Sequence, residues 1–388
     1  MVLDYSRKLN SDLAKIKVIS ENQIRTRAVE IDNDLKWPAE NIKDLLNAGF
    51  GGLCVPSEFG GLGYGLLALA KICETVGMEC ASTSICFGMH CVGAAVLSAQ
   101  ATEEQAKKYL KPICNGTHLT TLALSEPGTG AHFYYPQCSL YSDHDEFILN
   151  GTKGFITNGG HADSYVVSAM QTGEGILPSF SCIVVDRDSN GITWKESWKG
   201  FGMRGNDSLT AEFKNVRLCK ENLLGSEGDQ TWYVFNVVAP YFLMAMSGVY
   251  LGVARTALNL AQAHLKNRKY GHNGRSLAEE SIIQHRLASL WGKCEATGQL
   301  IYYAANRFDE GDEAATLEIM LAKAEIAEIA TNIVNEAMTL MGGIAYRDGA
   351  QIQRCLRDVR AAHVMAPTTD LLRQWAGRIL LDQPILGD

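Results

Sequence analysis

The sequence predicts an α+β multidomain protein in three successive parts: a helical domain over residues 1–117, a β domain over 118–228 and a helical bundle domain over 229–388. Three observations carry this reading. Apolar residues recur every three or four positions at both ends of the chain and give way to short β-branched runs in the middle. Strands and helices do not alternate as βαβ units, which argues against a Rossmann domain. Finally, 46% of the 388 residues are hydrophobic, with 37 Gly against 9 Pro, a composition that fills a large core and excludes disordered or collagen-like chains.

In the first part, KDLLNAGF closes a helix, GGLGYG forms a turn, and LLALAKICETVGM and EEQAKKYLKPIC carry apolar residues at helical spacing. In the middle part, residues 165–167, 180–185 and 209–213 are short strand-like runs bounded by Gly, Asn and Asp. The Asn150-Gly151 pair between EFIL and TKGFIT is a hairpin-turn signal. In the third part, residues 230–254 carry no charge and are long enough to cross a bilayer. Pro240, Asn236 and Ser247 interrupt that run and no basic cluster flanks it, so a bundle core helix is expected rather than a membrane span. Further on, Ile326, Ile329, Ile333, Ala337 and Met341 form the stripe of another bundle helix, which Gly342-Gly343 stops.

The 35 Lys+Arg against 43 Asp+Glu give a net charge of −8, leaving no basic surplus for nucleic acid. Eleven cysteines without any C-x-x-C read as reduced, mostly buried thiols rather than as disulfides or a metal site. With no apolar stretch in MVLDYSRKLNSDLAK, a cytoplasmic location is expected.

Four segments stand out as chemistry-bearing. Residues 122–130 read LALSEPGTG; alone, Gly128-x-Gly130 marks only a turn. Residues 154–160, GFITNGG, place an aromatic and a hydroxyl before a tight turn; in isolation this is a hairpin strand with Phe155 facing the core. Residues 200–205, GFGMRG, lead to Phe213-x-x-Val216 and Leu224-Gly225-x-x-Gly228. The fourth is NRKYG at 267–271, followed by Gln284, Leu340-Met341-Gly342-Gly343 and Arg357-Asp358.

In this order and spacing, with Ala48-Gly49-Phe50 and Pro56-x-x-Phe59-Gly60-Gly61-x-Gly63 before them, the segments resemble the acyl-CoA dehydrogenase family of flavoproteins over nearly the whole chain. The resemblance implies an N-terminal helical domain, a middle β-barrel-like domain and a C-terminal four-helix bundle. It also implies FAD between the last two and a homodimer or homotetramer. The cofactor contacts it implies are Leu124, Ser125, Gly130, Phe155, Thr157, Arg268, Gln284, Gly342, Gly343 and Thr368. Among them, Ser125 would meet the flavin pyrimidine, and Phe155, in place of the usual Trp, would flank the isoalloxazine. Thr157 would approach flavin N5, Arg268 the pyrophosphate of a neighbouring subunit's FAD, and the glycine pair the adenosine. An aromatic wall, hydroxyl donors and a guanidinium suit a planar heteroaromatic ring and a pyrophosphate.

The substrate half departs from the family. Where its members usually have Tyr-Glu-Gly-Thr, this chain has Met365-Ala366-Pro367-Thr368, so Ala366 replaces the glutamate that removes the α-proton. A positioned base contributes about 10²–10⁴-fold. The alternative glutamate site falls in Pro240-Tyr241-Phe242-Leu243, which has no carboxylate, and the family's thioester-holding Asp and Arg become Pro240 and Leu243. The family's Ser-Asp after the glycine turn becomes Ala131-His132. Ala131, Tyr241 and Leu243 are the substrate-side positions the resemblance points to. The replacement bases nearest these positions are His363, Asp370 and His132, and each has a structural explanation: a packed imidazole, a helix cap that Thr368 or Thr369 could also provide, and a loop side chain.

The expected activity is therefore FAD-dependent oxidation of an acyl thioester, on CoA or a carrier protein, with hydride transfer to flavin N5 and a relocated base. Two other readings stand beside it. One is a member that needs no α-proton base, a flavin monooxygenase or an enoyl-thioester reductase; the other is an FAD-binding scaffold without catalysis. Either an electron-transfer partner or oxygen would accept the electrons.

Overall fold

The structure, a computed structural model, describes residues 2–130, 132, 134–171, 179–195 and 197–386. Its first helices are α1 (Val2–Ile19), α2 (Arg25–Asn33), α3 (Ala39–Leu45), α4 (Leu66–Gly77) and α5 (Ala81–Ala99), followed by the short α6 (Glu103–Gln105) and α7 (Lys111–Cys114). Eight strands follow: β1 (Thr120–Ala123), β2 (Ser139–Asp143), β3 (Glu146–Ile156), β4 (Ser164–Gln171), β5 (Ser179–Asp186), β6 (Ile192–Lys195), β7 (Leu209–Cys219) and β8 (Leu223–Leu224). The chain then returns to helix: α8 (Gln230–Tyr233), α9 (Ala239–Asn267), α10 (Ser281–Asp309), α11 (Ala315–Met341), α12 (Gln351–Val359), α13 (Ala361–Val364) and α14 (Thr369–Leu380).

The strands make one sheet in the order β6-β7-β3-β2-β4-β5-β8, with β1 added parallel to β4. The Asn150-Gly151 signal is not a turn. Strand β3 runs through it, and the hairpin between β2 and β3 turns instead at residues 144–145, where His144 has φ +55 and Asp143 pairs with Glu146. Gly151 marks a bulge of β3 against β7, and its φ of +138 comes with close approach to Cys138, whose Sγ would lie 2.5 Å from an added Cβ. Gly151 thus serves a close approach to Cys138 inside a strand.

Among the described residues, two helices have the length and hydropathy of membrane spans, Ala81–Ala99 and the continuous run Gln230–Asn267, but 94% and 89% of their most apolar windows lie inside the protein. Both are core helices. Helix α5 packs on β1 and α9, while α9 packs on α4 and α11 and so forms the common core of the helical parts. Along α11, Ile326, Ile333 and Ala337 are buried as the sequence stripe predicts, and Gly342, at φ +70, ends the helix. The eleven cysteines are free thiols, nine of them buried.

Buried polar contacts join the helical and β parts. His90, fully buried on α5, has Nε2 2.9 Å from the Gly51 carbonyl and accepts the Thr120 amide at Nδ1, 3.1 Å, so Nε2 carries the proton. Burial pushes its pKa down to about 4 and keeps it neutral. Asn158, also fully buried, accepts Trp37 Nε1 at 2.9 Å and donates to the Cys86 carbonyl at 2.9 Å.

Candidate functional site

A cavity of about 750 Å³ lies where the sheet meets the C-terminal helices. The loop after β1 brings Leu124, Ser125 and Gly130 to it, the end of β3 brings Phe155 and Thr157, and the stretch before α14 brings Met365, Ala366 and Thr368. Ile85, Met89, Val238 and Phe242 supply apolar walls from α5 and the start of α9.

Local backbone chemistry explains these placements. Strand β3 slips register against β7 between Lys153 and Ile156, and at this bulge Phe155 adopts φ +55. The bulge turns the ring out of the sheet, leaving it 70% exposed at the cavity and edge-on to Trp198 at 6.5 Å. The reading in which Phe155 faces the core is therefore corrected. A left-handed aromatic residue is rare and costs about 1–3 kcal/mol, so the surroundings must hold it. Nearby, Asn158, Met203 and Asp207 also have positive φ, which concentrates strain in the two loops beside the cavity. Gly154 N donates to the Ser125 carbonyl at 2.9 Å, and Thr157 Oγ1 lies 3.2 Å from Ser208 Oγ.

The Arg357-Asp358 pair secures the loop at 200–205. Met203 N donates to Asp358 Oδ1 at 2.6 Å, while Arg357 pairs with Asp32 and donates to the Phe201 carbonyl at 3.2 Å. Burial pushes the Asp358 carboxyl up to about 6, against the pull of the Met203 amide. Gly202 is required there, since an added Cβ would meet the Arg357 carbonyl oxygen at 2.1 Å.

The charges at the cavity are nearly all committed. Glu126 is its only lining carboxylate among the described residues, and both its oxygens are used: Oε1 by Lys153 Nζ at 2.6 Å and the Cys138 amide, Oε2 by the Gln137 amide at 2.7 Å. Arg360 reaches the lining without a hydrogen bond or ion pair among the described residues. Trp198 Nε1 is buried without a hydrogen-bond partner among them.

Seven positions singled out in the sequence therefore meet here: Leu124, Ser125, Gly130, Phe155, Thr157, Ala366 and Thr368. Thr368 also caps α14 by accepting the Leu371 amide, so the cap is neither Asp370 nor Thr369. The three replacement bases stand off the lining. His363 Nε2 sits 3.2 Å from Thr331 Oγ1, with its pKa lowered by burial; His132 Nδ1 sits 3.0 Å from the Tyr134 hydroxyl; Asp370 is exposed in the first turn of α14. The cavity-lining residues here are Val238, just before α9, and Ala239 and Phe242 on it, whereas Leu243 is buried in the core and Tyr241 packs against it. Neither Tyr241 nor Leu243, the expected substrate-side positions, is on the cavity lining. Ala131 lies outside the described residues. Arg268, Gln284, Gly342 and Gly343 are exposed and do not line the cavity of their own chain.

Sequence reasoning missed Trp198, Arg360 and Lys153. Trp198 sits in a loop without periodicity, and Arg360 follows a short helix whose facing could not be read. Lys153, in TKGFIT, looks like an outward strand residue, and only its burial reveals its partner.

The residues present fit a flavin: an out-turned aromatic ring, two hydroxyls, an unpartnered indole N–H and apolar walls surround a space of suitable size. Comparison with known proteins agrees. Models of the acyl-CoA dehydrogenase N-terminal, middle and C-terminal domains match residues 13–117, 121–216 and 241–381. Cyclohex-1-ene-1-carbonyl-CoA dehydrogenase of Geobacter metallireducens is 28% identical, covering 98% of this chain and 99% of that protein. Acryloyl-CoA reductase (NADH) of Anaerotignum propionicum is 28% identical over 95% of this chain and 94% of its own length. The solved structure of butyryl-CoA dehydrogenase from Megasphaera elsdenii superposes with a TM-score of 0.91 at 26% identity, covering 96% and 98% of the two chains. The chain belongs to the acyl-CoA dehydrogenase family, and is an FAD-dependent oxidoreductase.

Proposed function

We propose that this chain transfers hydride between a small acyl thioester and FAD without a positioned carboxylate base. The observation that supports it most is the cavity itself, which unites the flavin-side positions Ser125, Phe155 and Thr157 with Ala366 on one lining. Bound FAD supplies the two-electron hydride chemistry. Phe155 would wall the ring, the Thr157 and Ser125 hydroxyls would serve its heteroatoms, and Ile85, Met89, Val238 and Phe242 would give the acyl chain an apolar bed. Ala366 holds no proton, Glu126 is tied to Lys153, and His363, Asp370 and His132 stand off the lining, so the α-proton exchanges with water admitted to the site. CoA or a carrier protein presents the substrate; CoA thioesters are named for the relatives above. Arg268, Gln284 and the Gly342-Gly343 pair then serve the FAD of a neighbouring subunit in a homodimer or homotetramer, in a cytoplasmic protein.

A second reading is favoured by the same lack of an uncommitted base: reduced flavin acting on an enoyl thioester or with oxygen. Anaerobic titration of the FAD-loaded protein with saturated acyl thioesters separates the two. Bleaching of the oxidised flavin is expected from the first reading. No bleaching, with turnover only after chemical reduction of the flavin, would establish the second. Ala366→Glu is expected to raise the bleaching rate by about 10²-fold or more; an unchanged rate would show that no α-proton transfer occurs at this position.

A further inference from the structure

Lys323 lies in the middle of α11, fully buried, and no carboxylate pairs with it among the described residues. Its amine donates to two backbone carbonyls, Ala362 at 2.9 Å and Pro367 at 3.0 Å. Those carbonyls bracket residues 363–366, the last two residues of α13 and the first two of the connection to α14, which starts at Thr369. This is the segment that carries Met365 and Ala366 to the cavity wall, with Thr368 just beyond.

Folding alone does not explain a lysine here. Its neighbours on the same stripe, Ile319, Met320, Ile326 and Ala327, are buried and apolar, and Leu or Met would complete that stripe without desolvating a charge. What the ammonium provides is reach and several donors at the end of a flexible stem, aimed at one carbonyl of the short α13 and one in the stretch between it and α14. The opposite wall uses the same device: Lys153 donates to the Leu124 carbonyl at 3.0 Å, beside Ser125.

We propose that Lys323 is a positioning residue of the flavin site, fixing the wall that bears Ala366 and Thr368 so that the cavity keeps the width a flavin and substrate need. The proposal rests on the flavin reading of the cavity. It acts through the backbone and requires no contact between the lysine and either ligand.

Hydrogen exchange of the 361–368 segment, with and without FAD, tests it in Lys323→Met, in Lys323→Gln, and in Val334→Ala, a cavity-forming change at a buried position of the same helix. The expected result is exchange about tenfold faster in this segment for the Lys323 variants, the scale of losing a charge-assisted hydrogen bond, and no such selective change for Val334→Ala. FAD should bind about tenfold more weakly and the flavin absorption band should change shape. Equal segment exchange in the Lys323 variants and Val334→Ala overturns the clamp. Faster exchange with unaltered FAD affinity and band shape overturns its role at the site. Should the Met variant not fold, the Gln variant, whose uncharged amide keeps two N–H donors on a shorter stem, carries the comparison. A parent chain that binds no FAD would overturn the flavin reading, while segment exchange still decides the clamp.

Discussion

Two fully buried lysines flank the same cavity, and their surroundings differ in one respect. Lys153 meets a carboxylate, Glu126, as well as the Leu124 carbonyl and the Ser168 hydroxyl. Among the described residues, Lys323 meets only the carbonyls of Ala362 and Pro367. Both pin a loop, but one charge is balanced and the other is not. The difference shows that the protein accepts, among the described residues, an unbalanced buried charge behind the wall that carries Ala366, and holds the wall that carries Ser125 with a matched pair.

The largest expected effect breaks the matched pair. Glu126→Ala leaves Lys153 buried without a counter-charge and frees the Gln137 and Cys138 amides, which should cost about 3–5 kcal/mol of unfolding free energy in urea. The double change Lys153→Met with Glu126→Leu should lose markedly less than the sum of the single changes. Additive losses would show that the two groups act separately.

The unbalanced lysine should reveal itself through pH. Burial holds the Lys323 amine near 8, below its ordinary 10.5. Between those values the unfolded chain keeps a proton that the folded chain has released, so stability rises with pH across that window. At about 1.4 kcal/mol per pH unit, the rise attributable to Lys323 is about 3 kcal/mol. Below pH 8 both states are protonated and the burial penalty is constant. Denaturation of Lys323→Met between pH 7.5 and 10.5 should lack this component; the same slope as the parent would place the titration elsewhere.

The smallest effect concerns the flavin-side wall. Phe155 holds φ +55 with its ring largely exposed, so Phe155→Gly should stabilise the FAD-free chain by about 1 kcal/mol while weakening FAD binding. Calorimetry of the two forms separates these opposite signs. A loss of stability in the FAD-free chain would mean that the ring's packing on Trp198 outweighs the backbone strain.

The helical parts were legible because burial repeats with the helix: the stripe on α11 and the uncharged run before and through α9 name their core faces directly. The β part was legible only as strand runs. Asn150-Gly151 misled because the preference of that pair for turns is local, whereas its use here is set by Cys138 on a neighbouring segment. Taken alone, GFITNGG reads as a hairpin strand with Phe155 in the core; only the motif order pointed the ring to the flavin, because a bulge leaves no mark in the sequence. The flavin-side positions could be recognised from motif order, yet the clamps behind them could not be recognised by residue type. Lys323 nevertheless had a signal: it falls at the core phase of its helix, between Met320 and Ile326, where a solvent-facing lysine has no place.

Strand β1 pairs parallel with β4, matching Thr120 to Ser164 and Ala123 to Val167, so each of its ladder bonds closes a loop of 44 residues. Such a strand has no local partner with which to nucleate. It is also continuous with the loop bearing Leu124 and Ser125. The flavin-side wall is therefore completed only after the chain has been made well beyond β4, and a nascent chain released before that point would carry the helical domain without a cofactor site.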